Sequence, residues 1–309
     1  MSTGFDLIAV VTQDMLGNVP AQGLQSAFAI SILPFTKGPI VTSYSETFRG
    51  EVVAWEVDST EHFTVAYYYQ KFEAATWRFL RLSGVDPALA RTTSALTHYK
   101  AELRQRDIYR IETALIDSGD APTIGHKLFN AETGTLCTTM QQSLTGVALE
   151  GPTVAWDGDP REERSVPGDD AGWVRASIDM ARPEEADWAG NLSLPGYIQR
   201  FSTANSFVMA AFGMTPQYLT EARAGLSTFE FQLTFNGYAR PGDLLDVETC
   251  IAHLGNTSMR FYHRMRHAET GADIAGLSQF GVHLDLDQRR PARIPDHIRE
   301  QAQPLLANG

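Results

Sequence analysis

The sequence predicts an α+β protein made of two copies of one unit, each a strand, one long helix and a run of antiparallel strands. Three observations carry that prediction. The chain aligns with itself in register, each copy holds one run of helical period, and the remainder of each copy breaks into strand-like runs separated by turns.

The repeat is read first. EVDSTEHFTVAYYYQKFEAATWRFLRLSGVDP, from Glu56, lies over EADWAGNLSLPGYIQRFSTANSFVMAAFGMTP, from Glu185, with no gap. Glu56 meets Glu185, Asp58 meets Asp187, Tyr68 meets Tyr197 and Phe72 meets Phe201. Further on, Gly84 meets Gly213 and Pro87 meets Pro216. A second block, at a larger offset, pairs Arg104 with Arg240, Asp107 with Asp243, NAETG from Asn130 with HAETG from His267, and Gln142 with Gln279. The change of offset predicts about seven extra residues after the second helix. Between the copies runs ALEGPTVAWDGDPREERSVPGDDAG, from Ala148, whose Pro, Gly and acid content reads as a linker. The resulting organisation is an N-terminal extension 1–47, a first copy 48–147, a linker 148–171, a second copy 172–295 and a tail 296–309.

FRGEVVAWEVD, from Phe48, is a valine-rich strand candidate. Val65, Tyr68, Phe72, Ala75, Phe79 and Leu82 recur in steps of three and four, so they share one helical face. Gly84 ends that helix and Pro87 forbids its continuation. The second copy repeats the design through Tyr197, Phe201, Ala204 and Val208, with Pro195 suited to a first helical turn. Strand-like runs follow near Tyr99–Leu103, Tyr109–Ile116, Thr123–Asn130 and Thr138–Ser143.

Composition bounds the function. A chain of 309 residues with 43% hydrophobic and 20% charged content suits two ordinary globular domains. A net charge of −12 argues against nucleic acid or an anionic membrane as partner. No run reaches transmembrane length, and the N-terminus lacks the basic region of a secretory signal, so a cytoplasmic location is expected. Cys137 and Cys250 lie in strand-like runs without metal-ligand spacing and read as small buried hydrophobes. GxGxxG, Walker A and HExxH are absent, so neither a cofactor nor a metal is expected.

Chemistry concentrates at DSTEH, from Asp58, where an acid precedes a helix. A carboxylate there serves either as a cap for the helix or as a base or nucleophile. The first-turn N–H groups of a helix can receive an oxyanion. His62 titrates near neutrality and suits proton transfer or packing; Glu61 is either a second carboxylate of the site or a solvated residue. Tyr67, Tyr68 and Tyr69 cannot all face inward on a helix; Tyr68 lies on the core stripe, and one neighbour is free to line a pocket. Arg104 and Arg106 with Lys100, and Arg264 with Arg260 and Arg266, form two basic clusters that read as solubilising faces or as nucleotide contacts.

The joint resembles that of hotdog acyl-CoA thioesterases of the 4-hydroxybenzoyl-CoA thioesterase type, which show Asp-x-x-Gly-His, then a helix tyrosine and a phenylalanine. The first copy matches with Asp58, His62, Tyr68 and Phe72, and the second with Asp187, Gly190, Tyr197 and Phe201. RPGD from Arg240 and RRPARIP from Arg289 are similar to later family motifs. The chain departs at Glu61, where Gly is usual, at Asn191, where His is usual, and at Val65 and Leu194, where Asn is frequent. The resemblance implies a tandem hotdog, a curled antiparallel sheet around one helix per copy, with sites between the paired copies. It implies acyl-CoA hydrolysis with Asp58, His62 and Asp187 as catalytic groups. The oxyanion and substrate are implied to be held by Val65, Tyr68, Asn191 and Tyr197, and the CoA by Arg104, Arg106 and Arg264. The coenzyme A is part of the substrate, and a homodimer is compatible with the family. A non-catalytic acyl-CoA-binding module and a hotdog hydratase or dehydratase remain alternatives, although the Asp-x-Asn-Pro-x-x-His pattern of the latter is absent.

Overall fold

The computed structural model describes residues 43–58, 61–169 and 172–307. Most of the 1–47 extension therefore lies outside the described residues. The first copy runs β1 (Ser45–Glu51), α1 (Val65–Leu82), β2 (Arg91–Tyr99), β3 (Ile108–Asp117), β4 (Thr123–Asn130) and β5 (Leu136–Thr145). The second runs β6 (Val174–Met180), α2 (Leu194–Ala211), α3 (Pro216–Glu221), β7 (Ala224–Phe235), β8 (Leu244–Leu254), β9 (Ser258–His267), β10 (Asp273–Asp285) and β11 (Arg290–Pro291), and α4 (Asp296–Ala302) follows. The short α3 is the extra segment that the change of offset predicts.

The strands form one antiparallel sheet in the order β1-β3-β4-β5-β2-β7-β10-β9-β8-β6, with β11 on β10. β2 and β7 pair at its middle, from Ser94 opposite Thr234 to His98 opposite Glu230, so the two copies share one continuous sheet. The helices lie together on one side, and Phe72, Tyr69, Phe201, Tyr197, Phe231 and Leu277 enter one core common to both copies. This is the expected tandem hotdog. Two sequence expectations shift. The strand placed at Tyr99–Leu103 is β2, which ends at Tyr99, because Lys100 and Ala101 both turn their N–H groups onto Cys137 O. The strand placed from Phe48 stops at Glu51, and Ala54–Glu56 forms a 3-10 turn in which the Glu56 carboxylate accepts from Val53 N–H.

Under each helix lies a buried polar network repeated in both copies. His126 Nδ1 meets Thr113 Oγ1 at 2.8 Å, and its Nε2 meets Gln142 Oε1 and Thr76 Oγ1, both at 3.2 Å. His263 likewise meets Thr249 at 2.8 Å and Gln279 at 3.3 Å. Both rings pack at a tilt against the central phenylalanines, Phe72 and Phe201. Gln Oε1 can only accept, so each Nε2 carries the proton. Burial pushes both histidines down to about 4, which keeps them neutral.

The linker segment lies as a strap across the sheet face opposite the helices. Val154 N–H bonds to Leu115 O, and Trp156 packs so close to Gly125 that any Cβ there would collide with its ring. Asp157 pairs with Lys127, and Asp159 pairs with Lys100 at 2.7 Å. Arg164 then grips Glu230 through two hydrogen bonds of 3.0 and 2.9 Å, with His98 at 3.3 Å on the same carboxylate. The strap thus starts on the outer strands of the first copy and ends on β7 of the second. Burial alone would raise Glu230, but the hydrogen bonds from His98 and Arg164 overcome it and hold the carboxyl at about 2.

These groups give an acid limb of defined sign. The folded histidines titrate near 4 against an ordinary 6.5, and Glu230 near 2 against 4.5. In each case the unfolded chain binds the proton first, so stability is full above those ordinary values and is lost as pH falls through the folded ones. Urea unfolding measured from pH 7 to 4 should show stability dropping with a net slope equivalent to about one proton, two from the buried histidines less one from the buried Glu73 carboxyl, which burial raises to about 8 and which titrates in the opposite sense. A flat profile over that range would contradict the neutral, buried assignment of both rings.

Candidate active site

Each copy builds the same joint between its first strand and its helix. In the first, Asp58 Oδ1 accepts from His62 N–H at 3.1 Å, while Asp58 N–H bonds to His62 O and Glu61 N–H to Asp58 O. In the second, Asp187 Oδ1 accepts from Asn191 N–H at 2.9 Å and Ala189 N–H at 2.8 Å. The aspartate thus shapes the loop that delivers the chain to the helix. Its third residue must turn left-handed: Gly190 does so at φ 75°, and Glu61 does so at φ 65° against its steric preference. Thr64 and Ser193 precede the helices, but neither hydroxyl caps the first turn. First-turn N–H groups are therefore left for another acceptor.

The two joints open onto very different spaces. The first borders a cleft of about 890 Å³ whose near wall holds Asp58, Glu61, His62, Val65 and Tyr68, and whose far wall comes from α2, β7 and β10 of the other copy. The second borders a pocket of about 40 Å³, walled by Asp187, Leu194 and Tyr197 on one side and by α1 of the first copy on the other. The repeat makes the cause legible position by position. Glu73, Thr76 and Trp77 of α1 face the second joint, whereas the matching Ser202, Asn205 and Ser206 of α2 face the first. Trp77 also meets Trp188 edge-to-face at 6.2 Å, closing the small pocket further. Small residues hold one joint open and large ones fill the other.

Glu73 does more than occupy space. Its Oε1 accepts from Leu194 N–H at 2.9 Å, capping α2 across the boundary between copies. Leu194 is the repeat partner of Val65, so the carboxylate sits on the donor that the second joint could otherwise offer to an oxyanion. Burial raises the Glu73 carboxyl to about 8; the Leu194 hydrogen bond opposes that rise and nearby Asp187 adds to it. At the first joint the matching α2 side chain is Ser202, and no carboxylate comes from that position.

The other sequence-predicted residues divide as follows. His62 Nε2 lies 3.0 Å from Glu102 Oε2 in the cleft wall. Tyr68 lines the cleft with its ring, but its hydroxyl is engaged by the Leu103 backbone, as Tyr197 accepts from Ala239 N–H at 2.8 Å. Asn191 is buried at the position of His62, and its Nδ2 has no hydrogen-bond partner among the described residues. Arg104 bridges His62 through its backbone and lies 3.7 Å from Glu102, beside the cleft rather than in its lining. Arg106 sits exposed in a left-handed turn at φ 78°, where the second copy has Gly242. The structure does not bring Arg264 to either joint: it pairs with Glu248 and Asp169 and stacks over Trp173. Cations that do line the cleft are Lys100, Arg223 and Arg289. Sequence reasoning missed Glu73, Glu102 and these arginines. A signal existed for Glu73, an acid at helical spacing between Tyr69 and Thr76 on a buried face. The arginines had none, since only the fold carries their turns to the cleft.

Among the described residues, no helix is long and apolar enough to cross a membrane. Comparison with known proteins agrees with the geometry. A crystal structure of an acyl-ACP thioesterase from Bacteroides thetaiotaomicron superposes with a TM-score of 0.59 at 11% identity, covering 78% of this chain and 98% of that one. The 12:0-ACP thioesterase from Umbellularia californica gives 0.58 at 11% identity, over 81% and 94%. At such identity these structures establish the shared fold. By sequence, a chloroplastic palmitoyl-acyl carrier protein thioesterase from Arabidopsis thaliana is 27% identical over 97 residues, 31% of this chain and only 23% of that relative's length. The family model of the thioesterase-like superfamily matches both copies, at residues 52–164 and 181–302. With the repeat, the continuous sheet and both matched segments in agreement, the chain is a double-hotdog member of the thioesterase-like superfamily.

Proposed function

We propose that the protein hydrolyses an acyl thioester in the cleft at the first joint and that the second joint is a structural relic of the same design. The observation that carries this reading is the contrast between the two joints. They share an aspartate-shaped loop and a helix N-terminus, but one opens on a roomy cleft and the other is filled by Glu73 and Trp77.

The chemistry follows from the arrangement. A thioester carbonyl placed at the start of α1 would have its oxygen at Val65 N–H, where charge develops as the tetrahedral intermediate forms. Asp58 takes the proton from the attacking water, or attacks the carbonyl carbon itself to give an anhydride that water then opens. Collapse breaks the C–S bond, and the departing thiolate takes a proton from His62, which Glu102 orients at 3.0 Å. The acyl group leaves as the carboxylate. Oxyanion donation of this kind is worth roughly a hundred- to a thousandfold in rate, and general-base help roughly a hundred- to ten-thousandfold. For the carrier, the named relatives act on acyl carrier protein thioesters, so an acyl-ACP is the first substrate to try and an acyl-CoA the second. The acyl group is left open by a cleft that mixes Tyr68, Tyr99 and Phe229 with Asn205 and Gln279.

A second reading has one specific observation in its favour: Glu73, raised to about 8 beside a helix N-terminus, has the environment of an acid-base group. Its own oxygen, however, occupies the Leu194 N–H, and about 40 Å³ does not admit a thioester.

Thiol release from acyl-ACP and acyl-CoA separates these readings. Asp58→Asn should lower kcat/KM at least about a hundredfold, with Asp187→Asn within a few-fold of the parent. The reverse order would move the site to the second joint, and binding without thiol release would make the protein a carrier-binding module. Ser202→Glu, which copies Glu73 into the open cleft, should abolish most turnover while the protein stays folded; full activity would show that Val65 N–H is not the oxyanion donor. Glu73→Gln should keep turnover and change stability with the opposite pH sign to the histidines. A carboxyl at about 8 in the fold against 4.5 unfolded is most favourable below 4.5 and progressively destabilises as pH rises through 8. The glutamine variant should therefore lose that decline in thermal melts between pH 5 and 9, and collapse of its kcat would favour the second reading instead.

A further inference from the structure

Among the described residues, four non-glycine residues hold a left-handed backbone, and three of them, Glu61, Arg223 and Arg289, line the cleft at the first joint. Glu61 belongs to the catalytic joint. The two arginines lie on the opposite wall and play no part in the chemistry above. Both stand where glycine is the favoured residue. Arg223, at φ 48°, follows the C-cap of α3, and Arg289, at φ 49°, closes the hairpin between β10 and β11. Left-handed strain in a residue with a side chain persists where the side chain is wanted.

The two turns are locked to each other. Leu286 N–H bonds to Arg223 O at 2.9 Å, and Arg223 Nε donates to Asp287 Oδ1 at 3.0 Å. Their guanidinium groups nevertheless face water, with side chains 63% and 58% exposed. Each has one weak anionic neighbour: Asp287 for Arg223, and Glu102 for Arg289 at 4.0 Å. Exposed pairs of this kind contribute little, so a phosphate that engages both guanidinium groups at once can displace them. Lys100 also lines the cleft but is held 2.7 Å from Asp159 by the strap. Neither arginine has a cationic counterpart at the closed joint: the cation there, Arg91, is spent on the carbonyls of Ala88 and Ala90.

Resting on the thioesterase reading of this cleft, the geometry points to Arg223 and Arg289 as the docking site for the phosphate of the substrate's phosphopantetheine arm. That phosphate is common to acyl-CoA and to acyl carrier proteins. The acyl end would then lie toward Asp58 and Val65 on the first copy while the carrier end is held by the second. The arrangement also joins binding to chemistry, because Glu102 is the neighbour of both Arg289 and His62. A phosphate that draws Arg289 away leaves Glu102 with His62 and Arg104.

The test compares two thioesters of the same acyl group, acyl-phosphopantetheine and acyl-pantetheine, which differ by the phosphate alone. The parent protein should prefer the phosphorylated one at least about tenfold in kcat/KM. In Arg223→Gly/Arg289→Gly that preference should fall to near unity, and lysine at either position should restore only part of it, since lysine lacks the forked donors. Glycine suits both backbone conformations, so the melting temperature of the double variant should hold or rise while affinity falls, a combination that a purely structural role does not produce. Acyl-CoA should lose in parallel with acyl-phosphopantetheine. The assignment is overturned by a parent with no phosphate preference, by a preference that survives in the double variant, or by a loss confined to acyl-CoA, which would place the nucleotide phosphates there instead. Failure of the parent to cleave either thioester would count against the thioesterase reading itself.

Discussion

The pairing of β2 with β7 is the contact on which the rest of the molecule depends. Only five residue pairs join the two strands, from Ser94 with Thr234 to His98 with Glu230. They nevertheless turn a five-stranded half and a six-stranded half into one sheet, bring α1 and α2 side by side, and set each joint against the helix of the other copy. A slip of one residue would turn every inward side chain outward, so Leu96 and Phe231 could not both keep their present environments. The strap guards this register. Arg164 and His98 meet on Glu230 at the end of the paired segment, where burial makes an unpaired carboxylate costly.

Each site is a product of both copies, and the same backbone plan gives opposite results at its two ends. The aspartate-shaped loops and the buried Thr–His–Gln contacts recur in both copies. What differs most is the size of two side chains on the facing helix, Glu73 and Trp77 against Ser202 and Ser206. Glu73 completes the inequality by turning a helix N-terminus into a capped, satisfied end. A helix start facing an open cleft in one half and a capped one in the other differ without any change of fold, and the proposed division between a chemical and a structural joint rests on that difference.

The sequence made the fold legible because the repeat doubled each weak signal. One DSTEH before an apolar helix is ambiguous; the same joint met again at Asp187 is not. Strands whose side chains alternate against the core, such as β3 with Tyr109, Ile111 and Thr113 buried, fell close to where the pattern put them, while β2 was displaced because its buried run, Ser94–Thr97, is continuous rather than alternating. The near wall of the cleft, Asp58 to Tyr68, was readable since those residues are local in sequence. The far wall was not. Ser202, Asn205, Arg223 and Arg289 reach the cleft only through the β2–β7 junction, and no local pattern encodes that distance. The strap shows the same limit: a segment rich in proline, glycine and acid reads only as a linker until Lys127, Lys100 and Glu230 supply its partners.

Joining the copies in one chain has a consequence for Glu73. In a symmetric pair of identical subunits, any residue on the helix faces both joints at once, so an acid that seals one would seal the other and extinguish the molecule. A single polypeptide lifts that tie. One half can be rebuilt as scaffold, with a tryptophan and a carboxylate stiffening its joint, while the other keeps its hollow. On the proposed reading, the molecule gives up one of two equivalent sites and gains in its place a filled joint against which the open one is held.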